Sequence, residues 1–295
     1  MWDYATLYGK ASLYFNRAQS HPRFDDDEFG IWALLGLEFL LRTPLAKVHP
    51  SLLAAPDGNS ILHSVGILID GDLKSIPTHT VISRLPHIVP DFDSGRVRDA
   101  TVLMNLRNSE LHTGEAAIAN APISLWLPRF LRVSEVVCSF LEIDVESLLG
   151  ESVVAHARSL VDEQDKKTQH EVGKKLNQAS TFFENLQKPE IDARRDALPK
   201  FVLDGRFVEC PTCESQAILR TEYVRTSGER IEDDIIYTDR ILVAKSFECS
   251  VCGLQLEDTR ETATAGLPQQ FVETTEESLD ERYAEAVVDW DYGND

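Results

Sequence analysis

Two short stretches, ECPTCES (residues 209–215) and ECSVCGL (residues 248–254), each contain a pair of cysteines separated by two residues. The four cysteines are Cys210, Cys213, Cys249 and Cys252. A CxxC turn directs two sulfur atoms at one ion, and four thiolates are a ligand set for tetrahedral Zn²⁺. The 35 residues between the two pairs predict strands. We therefore expect two turns at the ends of β-hairpins, which is the arrangement of a zinc ribbon.

Other interpretations of the cysteines stay open at this point. A redox-active dithiol is the alternative for each pair, although redox CxxC pairs usually stand alone at a strand-to-helix turn. A zinc site closed by four cysteines should be structural rather than catalytic. A zinc ribbon can bind nucleic acid, bind protein or bind neither, and its acidic surroundings here disfavour nucleic acid. The fifth cysteine, Cys138, lies in an apolar helical stretch and is expected to be a small buried hydrophobe.

The periodicity of the apolar residues changes along the chain. Residues 201–256 alternate apolar and polar side chains in short stretches between turns, which predicts β-strands. Residues 1–150 repeat apolar side chains at steps of three and four, which predicts helices. One of these helices should end at Thr43 and Pro44, and a long one should run from Gly95 to Ala119.

These patterns predict a division of the chain into four parts. The parts are a helical bundle (1–150), a connecting helix and linker (151–200), a zinc ribbon (201–256) and an acidic, largely disordered tail (257–295). The tail contains twelve acidic and two basic residues, and it accounts for half of the net charge of -20. Such a charge disfavours broad binding to duplex nucleic acid, which needs many cationic contacts. Such a tail is usually either solvated or bound to a basic partner, which could be a protein. Tyr283, Val287, Val288 and Trp290 could form a short docking segment near its end.

The same composition predicts a cytoplasmic protein with no membrane segment. The longest apolar run, IWALLGLEFLL, is interrupted by Glu38 and is shorter than the roughly 18 to 20 residues that a membrane span requires. The N-terminal residues lack the pattern of an export signal. A buried carboxylate needs a partner, so Glu38 is expected to be a salt-bridged or capped structural residue.

The stretch LMNLRNSELHTGEA (residues 103–116) places Arg107, Asn108 and His112 on one predicted helix. Asn108 and His112 are four residues apart and share a helix face, whereas Arg107 lies roughly 100° from Asn108 around the axis. The simplest interpretation is a polar helix surface on which Arg107 pairs with Glu110 or Glu115.

A more specific interpretation comes from a family resemblance. RNSELH (residues 107–112) resembles the Arg-polar-x3-His motif of the HEPN superfamily, the higher eukaryotes and prokaryotes nucleotide-binding domains. The resemblance covers about the first half of the chain, and it implies a mainly α fold in which a HEPN-like up-and-down bundle precedes the small β zinc ribbon. It also implies metal-independent cleavage of an RNA substrate at a homodimer cleft, with Arg107, Asn108 and His112 as catalytic residues. Relatives of this kind often act in toxin or antiviral defence systems.

The residues suit that chemistry, but a second hypothesis stays open. His112 can move a proton at neutral pH, and Arg107 can stabilise a phosphate that gains negative charge. The sequence shows no basic stripe that would hold a long RNA, however, and some members of the superfamily are not enzymes. The alternative is a noncatalytic dimeric adaptor whose zinc ribbon and acidic tail recruit a protein or nucleic-acid partner.

Overall fold

A computed structural model describes residues 2–21, 23–226 and 228–282 of the chain. The chain divides into two compact units, Met1–Glu163 (unit 1) and Gln164–Asp295 (unit 2). The boundary falls inside one long helix rather than at residue 150, where the sequence pattern had placed the end of the bundle.

The fold class predicted from the sequence was wrong. Helices make up 57% of the chain, but 16% of it forms a six-stranded antiparallel sheet. The protein is therefore a mixed α and β structure in which helix predominates, not a helical bundle with a small ribbon attached. The sheet is large because its central strand also pairs with segments that had been predicted as a turn and as disordered chain.

Unit 1 is helical. Its helices are α1 (Tyr4–Gln19), α2 (Asp27–Val48), α3 (Gly58–Ser64), α4 (Thr78–Arg84), α5 (Ser94–His112), α6 (Ala117–Asn120), α7 (Ile123–Leu141), α8 (Val145–Leu149) and the first part of α9 (Glu151–Glu184). Helix α2 lies in the core, where α1, α5 and α7 pack against it. The close approach of α1 needs a glycine, because a Cβ atom at Gly36 would lie 2.5 Å from the ring of Phe15. The apolar core of unit 1 thus fixes the positions of α2 and α5.

Helix α2 continues through the proline that was expected to end it. Pro44 lies inside the helix, which begins after the cap Asp26 and extends to Val48. A proline leaves the carbonyl four residues earlier without its backbone donor. The hydroxyl of Thr43 donates to that carbonyl, on Leu40, at 2.6 Å. The prediction was wrong because this side-chain hydrogen bond replaces the missing backbone one.

Among the described helices, α2 also has the length and hydropathy of a membrane span, which the sequence analysis did not anticipate. Within its most apolar window, 72% of the residues are buried inside the protein. The core helix of a globular unit meets the same test, so these properties do not assign α2 to a membrane.

Helix α5 is shorter than predicted. It ends at His112, and Thr113 leaves the helical conformation with extended backbone angles. The hydroxyl of Thr113 donates to the carbonyl of Ser109 at 2.7 Å, which caps the last turn. The chain then forms the separate short helix α6, whose first turn is held by the Glu110 carboxylate at the backbone N–H of Ile118.

Unit 2 is built around the 14-residue strand β4. Its strands are β1 (Gly205–Glu209), β2 (Gln216–Thr226), β3 (Arg230–Glu232), β4 (Ile235–Glu248), β5 (Gln255–Leu256) and β6 (Gln270–Ser278). Strands β2 and β3 pair with β4 along one edge, and β5 and β6 pair with it along the other. Its helices are the second part of α9, α10 (Lys188–Asp196) and α11 (Thr259–Thr264).

Two segments of unit 2 are more ordered than the sequence suggested. The predicted linker contains helix α10, which begins with a capping box formed by Gln187 and Glu190. The segment 257–282, predicted to be disordered, contains α11 and β6. The segment was predicted to be disordered because it is acidic. It nevertheless contains threonines, which are β-branched and therefore favour strands. Glu273 on β6 is neutralised by Arg206 on β1 at 2.8 Å.

The remainder of the acidic tail, residues 283–295, lies outside the described residues. The predicted docking segment, with Tyr283, Val287, Val288 and Trp290, falls in that part of the chain.

Candidate metal centre and polar pocket

The two hairpin turns of unit 2 bring the four predicted cysteines together. The Sγ atoms of Cys210 and Cys252 are 3.6 Å apart, and those of Cys213 and Cys249 are also 3.6 Å apart. All four sulfur atoms lie within 4.8 Å of one another, and all four residues are buried. A tetrahedron with metal–sulfur bonds of ~2.3 Å has edges of ~3.8 Å. The cluster therefore has the size needed to hold one metal ion.

The two cysteine turns share one backbone geometry. In the turn between β1 and β2, the backbone N–H of Glu214 donates to the carbonyl of Cys210 at 3.0 Å. In the turn between β4 and β5, the N–H of Gly253 donates to the carbonyl of Cys249 at 2.9 Å. Glu214 and Gly253 both have positive φ angles, 57° and 75°. The repeated turn explains why two separate CxxC stretches direct their sulfur atoms toward one point.

The electrostatics of the cluster favour a bound cation. The hydrogen bond between Cys210 and Cys249 raises the pKa of the Cys210 thiol and lowers the pKa of the Cys249 thiol. Hydrogen bonds with the same two residues raise the pKa of Cys252. The ionisation of each thiol thus depends on its neighbours, and repulsion among adjacent thiolates resists the ionisation of all four. A divalent ion would remove that resistance because it offsets the repulsion among the thiolates.

Helix α10, which lies in the segment predicted to be a linker, contacts both cysteine turns. Arg194 donates to the carbonyl of Ser250 in one turn at 3.1 Å, and Arg195 donates to the hydroxyl of Ser215 beside the other at 3.2 Å. An ion held by four thiolates leaves a net negative charge, and two guanidinium groups close by stabilise it. Nothing in the spacing of the CxxC pairs could have identified these two arginines.

Cys138 is separate from this cluster and lies on α7 in the core of unit 1. Burial raises the pKa of its thiol to about 12. The residue is a buried, neutral thiol, which confirms the expectation of a small core hydrophobe.

In unit 1, α5 places the three predicted catalytic residues on different faces. Arg107 is buried, whereas Asn108 and His112 are exposed. His112 lies five positions after Arg107, which is roughly 140° around a helix axis. The structure therefore groups Asn108 with His112 and directs Arg107 toward the interior of the unit.

The exposed face of α5 is polar and carries no carboxylate. Its residues are Arg98, Thr101, Asn105, Asn108 and His112. Two large apolar side chains, Val102 and Leu111, flank this polar stripe on opposite sides, and they are 47% and 46% exposed. The predicted pairing of Arg107 with Glu110 or Glu115 is absent among the described contacts, since Glu110 caps α6.

Arg107 pairs instead with Glu38 on α2. Glu38 also accepts from Arg42 at 3.3 Å and from the hydroxyl of Thr78 at 2.8 Å. The expectation that Glu38 needs a partner is thus confirmed, and the partners are two arginines rather than one. Arg42 was not predicted as a partner of Glu38, although an arginine one turn after a glutamate in an apolar helix is a signal for such a pair.

This ionic network lines a pocket of about 610 Å³. The pocket lies between α2, α4, α5 and the segment that precedes α4. Its polar lining includes Glu38, Arg42, Ser75, Thr78, His79, Ser83, Thr101, Asn105, Arg107 and Asn108. His112 does not belong to the lining. Arg107 and His112 are therefore assigned to different environments, and Asn108 lies at the border between them.

Comparison with known proteins adds no assignment. No protein-family description, curated protein or solved structure matches the chain.

Proposed function

We propose that the four-cysteine cluster holds a structural Zn²⁺ ion. Four thiolates at these separations are a ligand set that Zn²⁺ favours, and they leave no open position for a substrate. The observation that carries the proposal is the mutual approach of four buried sulfur atoms within 4.8 Å. Metal analysis of the purified protein should find one zinc per chain, and Cys210→Ser should lower that content. A full zinc content in Cys210→Ser, or the presence of another metal, would contradict the assignment.

We further propose that unit 1 is a metal-independent endoribonuclease of the HEPN type that acts as a homodimer. The resemblance of residues 107–112 to the HEPN motif carries this proposal. It is supported by the exposed stripe of α5, on which Asn108 and His112 lie about 40° apart around the axis. A stripe with no carboxylate of its own places no negative side chain directly against a phosphate.

The chemistry follows from these side chains. His112 removes the proton of a ribose 2′-OH as the 2′-oxygen attacks the neighbouring phosphorus. The bond from phosphorus to the 5′-oxygen breaks, and the proton is delivered to that leaving oxygen by His112 or by His112 of a second copy. The products are a 2′,3′-cyclic phosphate and a free 5′-OH. The reaction requires a 2′-OH, so DNA cannot be a substrate.

The roles of Asn108 and Arg107 follow from their positions. Asn108 is exposed on the same face as His112 and can donate its amide to a phosphate oxygen. Arg107 lies behind Asn108 in the pocket and contributes positive potential there rather than direct contact with exposed RNA. The scissile phosphate would thus sit at the mouth of the pocket, next to Asn108.

The proposed homodimer places two α5 stripes against each other. Val102 and Leu111 are about half exposed on opposite sides of the stripe, where apolar contacts between two copies could enclose a polar cleft. The noncatalytic adaptor remains the second candidate, because Arg107 already forms an ion pair with Glu38 and is less free to stabilise a phosphate.

The test compares RNA cleavage by the wild type with that of His112→Ala and Asn108→Ala. The control is His170→Ala, since His170 is an exposed histidine on α9. The assay contains EDTA, and the zinc content is measured afterwards so that loss of the structural ion is not mistaken for loss of catalysis. We expect His112→Ala to lower the rate by about 10²- to 10⁴-fold, and His170→Ala to leave it unchanged.

The product ends and the protein concentration complete the test. Cleavage should leave 2′,3′-cyclic phosphates and should not occur on DNA of the same sequence. At low protein concentration, the cleavage rate should rise more steeply than linearly with protein concentration. If the wild type forms dimers but cleaves no RNA, the adaptor is favoured. If His112→Ala cleaves as fast as the wild type, His112 is not the proton-transfer group.

A further inference from the structure

We propose that the pocket in unit 1 binds a small organic anion through a phosphate or carboxylate group. The inference goes beyond RNA cleavage: Arg107 and Asn108 belong both to the lining and to the proposed cleavage site, but His112, the proposed proton-transfer group, does not line the pocket. It rests on the charges buried there, on an unpartnered group of Arg107 and on the size and lining of the cavity.

The charges that line the pocket do not balance. Arg42 and Arg107 contribute two positive charges, and Glu38 contributes the only carboxylate among the described residues of the lining. The side chains of the two arginines are 10% and 9% exposed. A buried charge without a counter-charge is unfavourable, so a net positive pocket favours the entry of one anion.

The two arginines differ in how well their hydrogen-bond donors are used. Arg42 donates to the carbonyl of Ile76 and to the hydroxyl of Thr78, each at 3.1 Å, in addition to Glu38. Arg107 pairs with Glu38, and its buried Nε atom has no hydrogen-bond partner among the described residues. Arg42 is thus held in place by protein groups, whereas Arg107 keeps unused capacity for an acceptor. A phosphate or carboxylate is the acceptor that a guanidinium group recognises best.

The cavity suits a small molecule. Its volume of about 610 Å³ lies within the usual range of small-molecule sites, which is about 300 to 1,000 Å³. Beyond the charged groups, Ser83, Thr101, Asn105 and Asn108 offer hydroxyl and amide groups, and Ile82 and Met104 offer apolar contact. Such a lining can hold the neutral part of a ligand while the arginines hold its anionic group.

A small anion fits these observations better than a polymer does. A polyanion is bound through many exposed cations, and its affinity comes from neutralising many phosphates. Here one excess positive charge lies at the bottom of a pocket, and the chain as a whole has a net charge of -20. The pocket can therefore bind one anionic group, whereas a polymer would need many further cationic contacts that the pocket does not offer.

The experiment measures binding of inorganic phosphate, and separately of acetate, to the full-length protein. Titration calorimetry and phosphorus NMR are performed at constant ionic strength, which is maintained with sodium chloride. We expect one site per chain. Binding of both probes identifies an oxyanion site, and binding of one of them tells which oxyanion it prefers.

Three variants locate the site. Arg42→Met leaves Glu38 and Arg107 as a balanced pair, so the protein should fold and its phosphate affinity should fall at least tenfold. Glu38→Gln raises the excess charge and should increase phosphate affinity at least tenfold. Ser83→Trp fills the exposed side of the pocket without altering any charge, and it should abolish binding.

The control is Arg158→Met, which removes an exposed arginine of unit 1 outside the pocket. It should bind phosphate as the wild type does. If Arg42→Met and Ser83→Trp bind phosphate as tightly as Arg158→Met, or if the wild type binds neither probe, the proposal is overturned. His112→Ala should keep its phosphate affinity whether or not it cleaves RNA, which separates this site from the proposed nuclease activity.

Discussion

The two units bury polar groups in different ways. Unit 1 holds two buried arginines beside Glu38, whose carboxylate offsets one of their two positive charges. Unit 2 buries four cysteines whose sulfur atoms contact one another, and these cysteines belong to its small core. A unit with a large apolar core can tolerate an internal ion network, whereas a small core needs an added crosslink or ion. The comparison leads to the expectation that unit 1 is stabilised by its own side chains, whereas unit 2 gains stability from the proposed metal ion.

Removal of the metal should produce the largest difference between the units. Cys249→Ser, or a strong chelator, should unfold the sheet around the cysteine turns, because metal binding and folding are coupled in such modules. The helices of unit 1 should remain. Hydrogen exchange resolved by segment checks this, with Cys138→Ala as the control that loses a thiol but keeps the metal. Equal loss of protection in both units would show that their stabilities are not independent.

The next largest effect concerns the counter-charge of unit 1. Glu38→Ala leaves Arg42 and Arg107 buried without a carboxylate and should lower the free energy of unfolding by about 3–5 kcal/mol. Glu28→Ala removes an exposed carboxylate that contacts His21 and should cost at most ~1 kcal/mol. Urea unfolding followed by circular dichroism measures both. Similar costs for the two variants would mean that the buried network is not needed for stability.

Two glycine substitutions test how much the close packing of α1 against α2 contributes to the stability of unit 1. Gly36→Ala introduces a methyl group against Phe15, which is 2% exposed and cannot move aside, so it should cost about 1–3 kcal/mol. Gly9→Ala on α1 meets nothing within 4 Å and should instead stabilise the helix by about 0.5–1 kcal/mol. Thermal unfolding of the two variants should therefore shift in opposite directions. A gain in stability for Gly36→Ala would refute the tight contact.

The arginines of α10 sharpen the comparison within unit 2. Replacing both Arg194 and Arg195 by alanine should lower metal affinity by about tenfold, because their charges stabilise the metal-bound thiolates from outside the ligand set. Competition with a chromogenic chelator measures the affinity. Arg220→Ala, which removes an exposed arginine paired with Glu248, is the matched control and should leave the affinity unchanged. The same loss in the control would indicate a general effect of net charge.

The smallest effect should come from a helix cap in unit 1. Hydrogen bonds from the side chain and backbone of Ser147 lower the pKa of Asp144, which caps α8. A carboxyl whose pKa is lowered by folding adds stability above its ordinary value of 3.8, and it loses that stability as the pH falls through the lowered value. Asp144→Asn keeps the cap without titrating. The stability of the wild type should fall relative to the variant below pH 4, and parallel curves would refute the effect.

Local chemistry was the part of the protein that could be predicted from sequence. The CxxC spacing identified Cys210, Cys213, Cys249 and Cys252 as one cluster, because four soft ligands in two turns have few other arrangements. The alternation between residues 201 and 256 predicted the strands next to them. The need of Glu38 for a partner followed from the cost of burying a carboxylate. Each of these inferences rests on neighbouring residues or on the identity of a side chain.

The predictions from sequence were wrong where a contact between residues far apart in the chain, rather than the local composition, determined the structure. Strand β6 lies in an acidic segment, and it forms because β4 offers an unpaired edge and Arg206 neutralises Glu273. Helix α10 contains Pro189, but the proline occupies the first turn, where no backbone donor is lost. The pairing of Arg107 with Glu38 joins residues of two helices, so no spacing along α5 could have revealed it.

The sequence by itself determined the helical character of the first half, the strands that follow it and the identity of the four cysteines that cluster. These properties depend on residue periodicity and on chemical type, which short stretches of chain already contain. Only the tertiary structure decided that the sheet has six strands and that α10 contacts the cysteine turns. It also decided that Arg107 lines a pocket to which His112 does not belong. These features arise from side chains far apart in sequence that are brought together by burial of apolar surface, which depends on the whole fold.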